Sequence, residues 1–77
     1  MKCPLCESQL DVYDIDCRFR GNETRYADCE NCHHSFIFEI RYGHIWKYTK
    51  TKLIYDENIK SWVCDEKTEE TVIVWKG

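Results

Sequence analysis

Hydrophobic and polar residues alternate with a period of two along most of this chain. Over residues 8–20, Tyr13, Ile15, Cys17 and Phe19 interleave with Asp14, Asp16, Arg18 and Arg20, the pattern of a strand with one buried and one wet face. On that pattern Cys17 lies on the core face as a small hydrophobe. Gly21, Asn22, Glu23 and Thr24 supply turn chemistry, because Gly and Asn tolerate a positive φ. The chain returns through 25–28. Residues 35–42 predict a second clear strand, with Phe36, Phe38, Ile40 and Tyr42 on one side and Ile37, Glu39 and Arg41 on the other.

Gly43 then breaks the pattern, and a long strand is expected over 44–55. There Trp46, Tyr48, Lys50 and Lys52 share one face, opposite Ile45, Lys47, Thr49, Thr51, Leu53 and Tyr55. Asp56, Glu57 and Asn58 suit a hairpin turn into a strand over 59–64, and residues 65–70 read as an acidic connection to a last strand over 71–75. No stretch has convincing helical periodicity. The expectation is an all-β protein.

Four cysteines organise this pattern. Cys3 and Cys6 form one Cys-x-x-Cys pair and Cys29 and Cys32 another, with residues 7–28 between them. Two such turns supply four soft thiolates, a donor set suited to tetrahedral zinc. Pro4 stiffens the first turn by fixing its own φ and restricting Cys3. The intervening segment is long enough for a hairpin that returns the second pair beside the first. The expected architecture is a zinc ribbon over 1–42, extended by an antiparallel β-meander over 43–77 within one domain. At 77 residues, a metal is the expected staple for a small core.

Other cysteine chemistry fits less well. A disulfide framework belongs to exported chains, and no apolar signal segment opens the sequence. The run from Cys29 to His33 matches a c-type haem attachment pattern but leaves Cys3 and Cys6 without a role. A thioredoxin-like pair wants a βαβ context. Four-cysteine iron of the rubredoxin kind remains an alternative to zinc. His33 and His34, next to Cys32, are placed beside the site, where they can hydrogen-bond its ligands. Cys17 and Cys64 have no partner at ligand spacing.

The formal charge is −3, from 11 Lys and Arg against 14 Asp and Glu, and falls to about −5 with four thiolates and one zinc counted. An acidic chain does not grip phosphates indiscriminately. Two places nonetheless concentrate cations: the hairpin bearing Arg18, Arg20 and Arg25, and the face of Trp46, Tyr48, Lys50 and Lys52, where rings could stack on bases. No long apolar run suggests a membrane span, and the expected location is cytoplasmic. Motifs of nucleophilic, phosphate-binding or paired-carboxylate catalysis are missing, and four cysteines would close a zinc shell that a catalytic ion keeps open. A non-enzymatic binding module is expected.

The two cysteine pairs resemble those of the zinc-ribbon superfamily of transcription factors, polymerase subunits and ribosomal proteins. Over the first 42 residues or so, Cys3-Pro4-Leu5-Cys6, Arg25-Tyr26, Cys29 to Cys32 and Ser35-Phe36-Ile37 resemble the Ogr/Delta phage activators of late transcription, which space their second pair more widely. The resemblance implies zinc on Cys3, Cys6, Cys29 and Cys32 and contact with promoter DNA and polymerase. The expected partner is another protein, in a transcription or other nucleic-acid-handling machine. Direct DNA or RNA binding is the first alternative. The second is a phage-encoded inhibitor that occupies a nucleic-acid site through Asp56, Glu57, Asp65, Glu66, Glu69 and Glu70.

Overall fold

The computed structural model describes residues 1–19 and 21–74, the side chains of Arg18 and Phe19 excepted. Five strands form one antiparallel sheet in chain order: β1 (Asp11–Phe19), β2 (Asn22–Cys29), β3 (His34–Arg41), β4 (His44–Asp56) and β5 (Ser61–Ile73). No helix occurs among the described residues, so none there is long and apolar enough to cross a membrane. The fold is the expected all-β ribbon with a meander appended.

The turns follow from backbone chemistry. Tyr42 and Gly43 both have positive φ, 51° and 82°, and form the two-residue hairpin between Arg41 and His44. Tyr42 therefore sits on the exposed turn and does not continue the inward side of β3, as the alternation had implied. At the next hairpin, Asp56 Oδ1 accepts a 2.9 Å bond from the Asn58 amide, and Lys60 takes a φ of 53° before β5 begins.

A ten-residue cover packs on one face of this sheet. Residues 1–10 fold back on themselves through the Lys2 to Gln9 bridge and a 2.9 Å bond from Leu10 N to Met1 O. Cys3 and Leu10 of this cover join Ala27, Cys29, Phe36 and Phe38 in a buried cluster, with Met1, Val12, Ile45 and Tyr48 packed against it. Phe36 stacks on Phe38 at 5.6 Å, and Tyr48 meets both rings at 6.1 and 5.8 Å. Full burial of each phenylalanine contributes about 2–3 kcal/mol.

The small cover explains where the periodicity misleads. Tyr13 and Ile15, expected inside, are 59% and 52% exposed, and Cys17 is exposed as well. The pairing of β1 with β2 shifts register between Val12 and Asp14, so alternation does not carry one face through the strand. The cover reaches only its start, where Val12 packs against the buried cluster. Phe19, assigned to the same inward face, has its side chain outside the described residues.

The acidic stretch over 65–70 is not a connection between two strands, as the sequence suggested. It interrupts β5: Lys50 pairs with Glu70 and Lys52 with Asp65, so residues 66–69 bulge out of the ladder. Thr68 closes the bulge, its hydroxyl donating to Asp65 O at 2.7 Å and accepting from Lys52 N at 2.9 Å. The two expected strands are thus one edge strand, with Trp75 of the second outside the described residues.

Candidate metal centre

Each cysteine pair sits on a tight turn that ends in a left-handed residue. In the first, Cys3 O accepts from Glu7 N at 2.9 Å, and Leu5 N points at Cys3 Sγ from 3.4 Å. Glu7, just after the second cysteine, is left-handed at φ 63°. His33 occupies the matching place after Cys32 and is left-handed too, at φ 54°. Neither residue is the glycine that such a φ favours.

The hairpin of β1 and β2 brings the turns together. Cys6 Sγ lies 3.4 Å from Cys29 Sγ and Cys3 Sγ lies 3.6 Å from Cys32 Sγ; all four sulfurs fall within 4.8 Å of one another. Four sulfurs at the usual zinc distance from a common centre would be about 3.8 Å apart. The cluster therefore fits one tetrahedrally coordinated ion, held by Cys3, Cys6, Cys29 and Cys32. Cys3 and Cys29 are buried, and Cys6 and Cys32 are half-buried.

The thiols are not equivalent. Hydrogen bonds from the Ser8 side chain, the Asn31 side chain and the Ser8 backbone hold the Cys6 thiol down at about 5. Burial pushes Cys3 up, partly countered by the Leu5 and Cys6 amides. Burial, followed by contact with the thiols of Cys29, Cys3 and Cys6, pushes Cys32 far up. Crowding four thiols without a cation leaves one ready thiolate and at least two reluctant ones. A bound cation would offset that repulsion.

The two histidines lie beside the cluster in different ways. His34 Nδ1–H donates to the carbonyl of Cys32 at 2.8 Å, so it holds the second turn by its backbone instead of a sulfur. The His33 ring turns away and stacks on Trp62 at 4.3 Å and 7°, while its carbonyl accepts from Leu53 N at 2.8 Å. Trp62 in turn meets Tyr55 edge-on at 5.6 Å. The second cysteine turn is thus tied directly to the β4–β5 hairpin. The alternation of the sequence does not reveal this ladder; the signal available was the position of His33, matched to Glu7 by its place after a cysteine pair.

The remaining candidates are dispersed. Arg25 pairs with Glu23 at 2.6 Å; Arg20 and the Arg18 side chain lie outside the described residues. The expected common face of Trp46, Tyr48, Lys50 and Lys52 is broken by a register shift, since Glu39 pairs with Lys47 and Ile40 with Ile45. Tyr48 goes to the core side. Trp46, the extra residue, lies beneath the Arg41 guanidinium at 4.8 Å and the Lys47 ammonium at 4.7 Å. Lys47 is paired with Glu39 at 2.9 Å and Lys50 with Glu70 at 3.5 Å, and Lys52 is exposed. Cys17 and Cys64 are exposed thiols away from the cluster.

The chain matches no family model, no curated protein and no solved structure. The resemblance of its first half to the Ogr/Delta activators accordingly has no family match behind it.

Proposed function

We propose that this is a non-enzymatic zinc-binding module that presents the aromatic surface of its β4–β5 hairpin to a protein partner. The observation that carries the reading is the ladder of His33, Trp62 and Tyr55, which runs from the residue after Cys32 out to a hairpin whose rings stay exposed, Tyr55 by 51% and Trp62 by 48%. Exposed aromatics on a rigid frame are typical anchors of protein interfaces. Zinc is the metal of choice for four thiolates, and a closed shell makes it structural.

The fate of the cations favours a protein over a nucleic acid. Arg25, Lys47 and Lys50 are each engaged by a carboxylate, and the net charge is −3. Such a surface gains little from counterion release. A role as a small regulator of a transcription or other nucleic-acid-handling machine rests on the zinc-ribbon resemblance of the cysteine pairs. One specific feature favours direct nucleic-acid contact as a second reading: Trp46, flanked by Arg41 and Lys47, combines a stacking ring with two cations.

Affinity capture from a bacterial lysate separates these readings, using zinc-loaded protein and a Tyr55→Ser/Trp62→Ser variant, with and without nuclease. A protein retained by the parent in both lanes and lost by the variant is the expected result. Retention that vanishes with nuclease, or that the variant preserves, refutes the reading.

A further inference from the structure

The two edges of the sheet are unequally protected. On β1 the ladder is broken between Val12 and Asp14 and again between Asp16 and Phe19, and the strand carries Asp11, Asp14 and Asp16. Register breaks and charges are the usual guards against edge pairing. On β5 the guards are confined to the second half: the bulge over 66–69 and the acids Asp65, Glu66, Glu69 and Glu70.

Residues 61–64 of β5 have no such guard. Ser61, Trp62, Val63 and Cys64 are uncharged and pair regularly with Asp56, Tyr55, Ile54 and Leu53. As β5 is the last strand of the sheet, their outer backbone groups have no strand partner among the described residues. Trp62 and Cys64 are exposed, and Ile59 and Ile54 add exposed apolar surface at 60% and 43%. An apolar, regular, open edge of this kind is a template for another strand.

The charges flanking the segment say which strand. Lys60 precedes it and Glu66 follows it. If two such edges run antiparallel about Val63, Val63 faces its own copy, Trp62 faces Cys64 and Ser61 faces Asp65, each of the last two twice by symmetry, and the turn carrying Lys60 comes beside the start of the bulge carrying Glu66. Side chains of the same sheet face then meet across the junction, and Lys60 and Glu66, brought together twice, are of opposite sign. We infer that residues 61–64 of β5 pair antiparallel with the same segment of a second copy, centred on Val63. The sheet continues through the dimer and carries two His33, Trp62 and Tyr55 ladders on one face, so a partner would meet a doubled aromatic surface. With so few residues paired, the contact falls in the size range of weak associations, below about 1,200 Å².

Sedimentation equilibrium of the zinc-loaded protein in reductant, from micromolar to millimolar concentration, reads the association directly. The mass is expected to climb from the 9.3 kDa of one chain towards twice that value. Lys60→Glu turns two opposite pairs into two like pairs and should weaken dimerisation by about tenfold. Lys60→Glu/Glu66→Lys should restore it. Both residues are exposed, one in a turn and one in the bulge, so neither change disturbs the core. A protein that stays monomeric throughout, a dimer indifferent to Lys60→Glu, or a charge swap that fails to rescue overturns the inference. The readout needs no partner, so its failure is distinct from failure of the proposed protein contact.

Discussion

Replacing Glu7 by glycine should stabilise the metal-loaded protein, although the side chain removed is charged and exposed. Glu7 is held at φ 63° by the first cysteine turn, with its amide bonded to Cys3 O. A left-handed φ costs a residue with a Cβ about 1–2 kcal/mol. Glycine removes that cost but brings a more mobile unfolded chain, worth about 0.5–1 kcal/mol in the other direction. The balance is a gain of about 0.5–1 kcal/mol, or a rise in Tm of roughly 3–6 °C for a domain of this size. His33 supplies the internal control. Its φ of 54° carries the same strain, but His33→Gly also discards the ring stacked on Trp62, a contact worth about 0.5–1.5 kcal/mol. That variant should leave Tm nearly unchanged. Thermal unfolding by circular dichroism, with equal zinc excess and reductant, measures both. A lower Tm for Glu7→Gly would refute the strain argument, and equal gains in both variants would mean that the stack contributes nothing.

Metal removal should have the largest effect. Two of the six residues in the buried cluster, Cys3 and Cys29, are candidate ligands, so the core and the metal shell are one structure. A structural zinc is worth on the order of 10 kcal/mol, and a chelator should abolish the sheet signal in far-ultraviolet dichroism; an unchanged spectrum would contradict this. Affinity for the metal should rise with pH around neutrality. Because the metal-free chain is unfolded on this reading, its cysteines are near the free value of about 8.5 and hold their protons at pH 7. Binding to thiolates then displaces several protons, giving a slope of log affinity against pH of about two or more, and a slope below one would contradict coordination by the four cysteines. Gly21 and Gly43 share a φ of 82°, yet a Cβ on Gly21 would lie 2.7 Å from the Tyr42 ring while one on Gly43 meets nothing within 4 Å. Gly21→Ala should therefore destabilise more than Gly43→Ala, which costs about 1 kcal/mol, and adding Tyr42→Ala should close the gap; denaturant midpoints would show it.

Spacing and local alternation determined a large part of this protein. The two Cys-x-x-Cys pairs were legible because a short turn aims both sulfurs at one centre whatever surrounds it. Phe36, Phe38 and Ile40 were legible because β3 is central and pairs with β2 without a register shift, so period two survives along it. Tertiary structure decided the rest. Tyr13, Ile15 and Cys17 follow the same alternation but end in solvent, because a ten-residue cover reaches only the start of β1. Trp46 and Tyr48 part company because one extra residue in the β3–β4 ladder reverses the face that follows it. The stack of His33 on Trp62 joins residues far apart in the chain, and only the antiparallel return of β5 beside β4 brings them within reach. Periodicity records which side of its own strand a residue occupies; whether that side is covered depends on chain that lies elsewhere in sequence.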